Sequence, residues 1–256
     1  MKRTYNKGRK GRTTKDKRTN NRGWKERITK DEKDEQQRTK KSNNKRRKGW
    51  TTKVEKDEQA GDKSNIQNFR PIALLSNFAK LFECILSNNI YSHVINYIVP
   101  EQHGFVKGRS TVTNLYEFTQ FVSTALDDGL QVDVLYTDLT KAFDRVNHCV
   151  LFKKLEMYGF CDNILLLLKS MIMGRRQFVE YGGFKSFEFI VNSGVVQGSN
   201  LGPLLFVIFF NDVVKHLNCK CFIYADDLKI VNIIRSNNDC LKLQGNLDNF
   251  ITWSCI

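Results

Sequence analysis

The chain is poor in the residues that stiffen or cross-link a fold. Only three prolines, Pro71, Pro100 and Pro203, occur in 256 residues, which excludes proline-rich linkers and polyproline segments. Seven cysteines are scattered, with one Cys-x-Cys and no Cys-x-x-Cys spacing. Neither a zinc site nor a disulfide framework is indicated, and free thiols in a reducing compartment are expected. Long hydrophobic runs are missing too. The longest, around Ile164 to Leu168 and Leu204 to Phe210, fall far short of the roughly 20 residues that span a bilayer. Met1 is followed by polar residues rather than a signal peptide, so an intracellular protein without a membrane partner is expected.

Residues 1–58 lack apolar side chains almost entirely: Met1, Tyr5, Trp24, Ile28, Trp50 and Val54 are all they hold. That is too few to offset the entropy of folding, and a disordered basic low-complexity tail is expected. This tail carries 23 lysines and arginines against 9 aspartates and glutamates, whereas residues 59–256 carry 18 of each. The whole net charge of +14 thus lies in the first quarter. Runs such as Lys45-Arg46-Arg47-Lys48 suit phosphate neutralisation or nuclear import, and equally a solvated tail.

The remainder is neutral, apolar enough to fold, and long enough for one domain or two small lobes. Helical spacing predicts a helix after Ser76 with Phe78, Leu81, Phe82, Ile85 and Leu86 inward. A second, after Thr111, has Leu115, Phe118, Val122, Ala125 and Leu126 inward. Val132 to Asp138 alternates and is β-branched, a strand whose end delivers Asp138. Helices fit Cys149–Tyr158 and Asp162–Met173, and strands fit Gln177–Tyr181 and Phe187–Asn192, joined across Gly182-Gly183. A buried helix from Leu204 to Val214 precedes the last strands. The order predicts an α+β fold with helices on one face of an antiparallel sheet.

Tyr224-Ala225-Asp226-Asp227 interrupts the apolar run Phe222 to Val231. Adjacent carboxylates in apolar surroundings need protonation, a partner or a cation. The flanks read as two short strands with the Asp pair at their turn. Taken alone, that reads as an ordinary Asp-containing hairpin turn before it reads as a metal site. Asp138 supplies a third carboxylate. Hard oxygen ligands of this kind suit Mg²⁺, and a pair of ions roughly 3.5–4 Å apart serves phosphoryl transfer.

Five segments in order resemble the reverse transcriptases of non-LTR retrotransposons, particularly the jockey-like group. They are Asn68 to Ser76, Gln102 to Thr111, Thr137-Asp138-Leu139-Thr140-Lys141-Ala142-Phe143-Asp144, Ser193 to Phe206 with Gln197-Gly198 at its centre, and Tyr224-Ala225-Asp226-Asp227. The resemblance covers about residues 61–253. It implies the fingers and palm of a right-hand polymerase: partial fingers over 59–130, mostly palm over 131–256, and no thumb within these residues. It also implies an RNA-directed DNA polymerase that adds deoxynucleotides to a primer 3′-hydroxyl, with an RNA template, a DNA primer and deoxynucleoside triphosphates as partners. Two Mg²⁺ ions, with Mn²⁺ as a substitute, would serve as cofactors.

Carried over by residue, Asp138, Asp226 and Asp227 would be catalytic and metal-binding, with the backbone at Leu139 beside the metal. Arg70, Phe143, Gln197 and Gly198 would bind the nucleotide, with Phe143 as the gate against a 2′-hydroxyl. Lys107, Arg109 and Tyr224 would meet template or primer. Asp144 and His148 would pair as structural residues at a helix start. Val196 stands where the family usually has proline. A nuclear location follows from the resemblance and the tail. The alternative function is a non-catalytic remnant that binds nucleic acid through residues 1–58. That reading predicts RNA or DNA affinity that falls steeply with salt and disappears when the tail is removed, measured by fluorescence anisotropy. Affinity that survives the deletion rules the tail out as the binding element.

Overall fold

The computed structural model describes residues 51–56, 69–181 and 183–255; for 51–56 and 69–71 it describes the backbone alone. Strand β1 (Thr51–Lys56) pairs antiparallel with β2 (Phe69–Leu74). Residues 51–56 therefore belong to a sheet and not to the expected tail, and a tail deletion that leaves the fold whole must end before Thr51. The rest of the expected tail lies outside the described residues.

Helix α1 (Asn77–Val94) starts where Ser76 Oγ accepts the Ala79 amide, a serine N-cap. The face it buries differs from the expected one. Glu83, Leu86, Ile90 and Val94 are inward, whereas Phe78, Leu81, Phe82 and Ile85 are exposed, Phe78 by 88%. Only Leu86 was placed correctly. Two apolar stripes compete on this helix. The buried one is the stripe whose polar member finds partners, because the Glu83 carboxylate accepts the Asn200 amide at 3.1 Å.

Helix α2 (Thr111–Asp127) opens on a capping box between Ser110 and Thr113. Its buried residues are Asn114 and Ala125, and Leu126, expected inward, is exposed. Strand β3 (Gln131–Thr137) ends one residue before Asp138. Then follow the single turn α3 (Ala142–Arg145), α4 (His148–Met157) capped by Asn147, and α5 (Asp162–Ile172).

The expected strand Gln177–Tyr181 is broken at Phe178. Strand β4 (Arg175–Gln177) pairs with β7 (Phe189–Val191), while β5 (Val179–Tyr181) turns back on β6 (Phe184–Lys185) and lies parallel to β1. The chain thus changes sheets within two residues, and the fold holds three sheets among the described residues rather than one.

Helix α6 (Gly202–Phe210) is buried almost all round and forms the centre of the core, with Phe206 and Phe210 stacked 5.7 Å apart. It tightens to a 3₁₀ turn after Phe210, short of the expected Val214. Asn211 accounts for this: its side chain accepts from the Val99 amide and donates to the Tyr97 carbonyl and the Tyr158 hydroxyl. The hairpin β8 (Lys220–Tyr224) and β9 (Asp227–Ile234) adds to β3 in the order β3-β9-β8.

Helix α7 (Asn237–Ser254) closes the core with Leu243, Phe250 and Trp253. Trp253 donates to the Asp212 carboxylate, which also holds Lys154 at 2.7 Å; burial pulls that ammonium below the ordinary lysine range. No helix among the described residues is long and apolar enough to cross a membrane, and all seven cysteines are free. Burial raises the Cys221 thiol to about 12.

The rotation of α1 predicts opposite outcomes for two apolar residues. Leu86→Ala should lower stability by about 2–5 kcal/mol. Phe78→Ser should stay within about 0.5 kcal/mol of the parent. Urea midpoints of the two variants check this.

Candidate active site

The pairing register brings the acidic residues together. Thr137 lies opposite Leu228 in the β3–β9 ladder, so the next residue, Asp138, comes opposite Asp227. Residues directly opposite share a face of the sheet. Both line one cavity of about 520 Å³, together with Tyr224, Asn114 and Lys229. Asp138 and Asp227 are exposed and Asp226 is half-buried.

The hairpin closes through a two-residue loop, Ala225-Asp226, since Tyr224 and Asp227 are the last pair. Ala225 has φ of +58° and Asp226 does not share the positive sign. That is the pattern of a II′ loop, whose twist matches the flanking strands but which normally carries glycine at this position. An alanine there stores strain on the order of 1 kcal/mol.

The loop is held from below by residues 101–104. The Ile223 amide donates to Glu101 O and the His103 amide to Ile223 O, at 3.0 and 2.8 Å. Between them the Gln102 side chain, 1% exposed, donates to the Ala225 carbonyl at 3.2 Å and accepts the Ala225 amide at 2.9 Å. Its Oε1 also accepts the Gly104 amide at 2.8 Å. Gly104 lies so close beneath that a β-carbon would overlap the Ala225 amide nitrogen. Asn114 donates to the Ile223 carbonyl and accepts from Lys229 Nζ. Burial lowers the Lys229 ammonium from its ordinary range, and the Asp227 carboxylate opposes that shift.

A second group of predicted residues gathers around the loop 193–201. Its Val195 amide donates to the Phe143 carbonyl and its Gly194 amide to the Val146 carbonyl. Gln197 O accepts the Ala73 amide of β2. Gly198, at φ +94°, lies where a β-carbon would press on Ile72 at 2.8 Å, so only glycine fits. Phe143 is half-buried, stacked on Phe206 at 4.4 Å and edge-on to Phe105 at 6.1 Å. Leu139 is half-buried against the core. Arg70 sits in β2 opposite Glu55, and its side chain lies outside the described residues.

Two expectations change. Arg109 is turned inward: its guanidinium donates to the Val99 and Gln102 carbonyls, at 2.9 and 2.6 Å, so it braces the 99–102 loop instead of reaching for template. Lys107 remains exposed, its ammonium over the Tyr91 ring. His148 does not pair with Asp144; its Nε2 donates to the Gly194 carbonyl at 2.8 Å.

The expected gathering of three carboxylates is also absent: among the described residues no group of three His, Cys, Asp or Glu side chains is positioned to hold a metal ion. Asp138 and Asp227 share a face by register, whereas Asp226 belongs to the loop and is not part of the cavity wall. The pair still fits a divalent ion such as Mg²⁺, which takes oxygen ligands and is held by one or two carboxylates with substrate phosphates.

Motif reading also passed over Gln102, Gly104, Asn114, Glu83 and Lys229. Gln102 and Gly104 lie inside the motif Gln102 to Thr111, but nothing in the sequence tells which part of the chain they touch. Glu83 carries a signal, a lone acid on a buried stripe.

The family model for reverse transcriptase (RNA-dependent DNA polymerase) matches residues 55–254. The "Probable RNA-directed DNA polymerase from transposon X-element" of Drosophila melanogaster is 36% identical over 195 residues, covering 73% of this chain and 21% of that protein. Its counterpart from transposon BS, in the same organism, is 32% identical over 196 residues, with the same coverage of both. The chain thus spans about a fifth of the length of these curated relatives. Among solved structures, a telomerase from Candida tropicalis matches with a TM-score of 0.53 at 13% identity, covering 80% of this chain and 39% of that one, a likeness of fold. Sequence match and fold agree, and the chain belongs to the reverse transcriptase family.

Proposed function

We propose that this chain is the fingers and palm portion of an RNA-directed DNA polymerase of a non-LTR retrotransposon. It adds deoxynucleotides to a primer 3′-hydroxyl on an RNA template. The observation that carries the reading is the register that sets Asp138 opposite Asp227 beside the Ala225-Asp226 loop, on the wall of one cavity.

Reverse transcriptases as a family use divalent metal ions. Asp138 and Asp227 would hold Mg²⁺ or Mn²⁺ here, with Asp226 in the adjoining loop and the backbone at Leu139 beside them. Such an ion, when bound, lowers the pKa of an attacking hydroxyl and steadies charge on phosphoryl oxygens. The chain's own residues do the positioning. The Phe143 ring, fixed by its stack on Phe206, would stand where a ribose 2′-hydroxyl would sit and so favour deoxynucleotides. Gln197 and Gly198 would line the nucleotide pocket, where the bare glycine backbone lets the loop approach β2. Arg70 would clamp phosphates with its guanidinium fork. Tyr224 and Lys107 would face primer and template. Base choice is left to pairing with the template, so the protein contributes shape and backbone contacts. The strongly basic tail that precedes Thr51 would add sequence-independent affinity for RNA and direct the chain to the nucleus.

Primer extension on an RNA template tests the reading. Extension should require Mg²⁺ or Mn²⁺, favour deoxynucleotides over ribonucleotides, and fall by more than about 100-fold in Asp226→Ala, the scale expected when a group acting at the reacting centre is removed. No extension by the parent chain, or undiminished extension by Asp226→Ala, contradicts it.

A further inference from the structure

The strained loop between β8 and β9 needs a reason to stay in one conformation. Ala225 occupies a backbone region that alanine leaves readily. The restraint comes from a distant part of the chain. Gln102 is separated by 123 residues from Ala225, yet its amide satisfies both the N–H and the C=O of that residue and the Gly104 N–H besides. A two-sided amide of this kind fixes a peptide unit in position and orientation, since any rotation of Ala225 breaks at least one bond. Such a buried network has a high penalty for partial loss, because each backbone group left unpaired keeps its desolvation cost with no bond to offset it.

The bracing continues outward. Arg109 holds the Gln102 carbonyl, and the backbone of residues 101–103 is bonded on both sides to Ile223. The Gln102 side chain therefore sits on a rigid platform, and Asp226 and Asp227 are the two residues that follow the peptide it grips. We infer that Gln102 is the positioning residue of the site: it sets the Ala225-Asp226 loop, and through it the aim of Asp226 and Asp227. It touches no reacting atom, and its role rests on the polymerase reading above.

Two variants test this in the full chain. Gln102→Met keeps the volume and removes all three bonds. Gly104→Ala pushes on the Ala225 amide from below and leaves Gln102 in place. The first readout needs no activity: hydrogen exchange of the peptide spanning residues 222–228, by mass spectrometry. Both variants should speed exchange there by about tenfold or more, with peptides of α4 and α6 unchanged. The second readout is primer extension. In both variants kcat should fall by about tenfold or more while KM for the deoxynucleotide stays within about threefold, because a misaimed carboxylate is felt in the transition state and not in nucleotide binding.

Leu86→Ala, a destabilised variant with an intact loop, serves as the control and should keep its kcat in the folded fraction. Unchanged local exchange overturns the inference whatever the activity. Local exchange that rises while kcat holds also overturns it and leaves the polymerase reading standing. A parent chain that extends no primer removes the polymerase reading and, with it, the catalytic half of the inference. The exchange readout then still decides whether Gln102 sets the loop.

Discussion

Everything at the site depends on the antiparallel register of β3 against β9. Side chains alternate with a period of two, so a slip of one residue would carry Asp138 to the opposite face from Asp227 and disperse the acidic cluster. The register is locked from the core side. Ile223, Leu228 and Ile230 are fully buried in the apolar core, and moving any of them outward would expose apolar area at about 25 cal/mol per Å². The carboxylates on the other face are therefore positioned by hydrophobic burial that they take no part in.

Buried polar groups supply what apolar packing cannot, namely the conformation of the loops. Glu83 holds the 199–201 segment, His148 holds Gly194, Asn211 ends the central helix, and Gln102 grips the hairpin turn. Each pairs with backbone from a remote part of the chain. Burial pushes the Glu83 carboxyl above its usual range, with the Asn200 and Leu201 amides and the Ser199 hydroxyl working against the shift. Such groups specify a loop at the risk of a large penalty if a partner is lost. They are concentrated where motif residues must be aimed.

The legible part of this protein was local. The strand ending at Asp138, the hairpin around Asp226, the helix after Pro203 and the serine cap at Ser76 follow from period, turn chemistry and capping, all readable over a few residues. The motif order gave the family. What resisted reading was tertiary. Phe78, Leu81, Phe82 and Ile85 make as good an apolar stripe as the one α1 buries, and the partners that the 199–201 segment offers Glu83 favour the buried one. Arg109 reads as a free cation beside glycine and serine, and its carbonyl partners arise from the path of residues 99–102. The break at Phe178 depends on which sheet each half can join. Strand β1 was masked by its lysines, which leave little apolar signal.

Paramagnetic broadening of backbone amides by Mn²⁺ titrated into the full chain tests most directly whether Asp138 and Asp227 act as one cation site. Amides of residues 138–139 and 225–228 should broaden first, and Asp138→Asn and Asp227→Asn should each weaken that broadening. Broadening that begins elsewhere, or that neither substitution alters, would contradict a shared site built by the β3–β9 register.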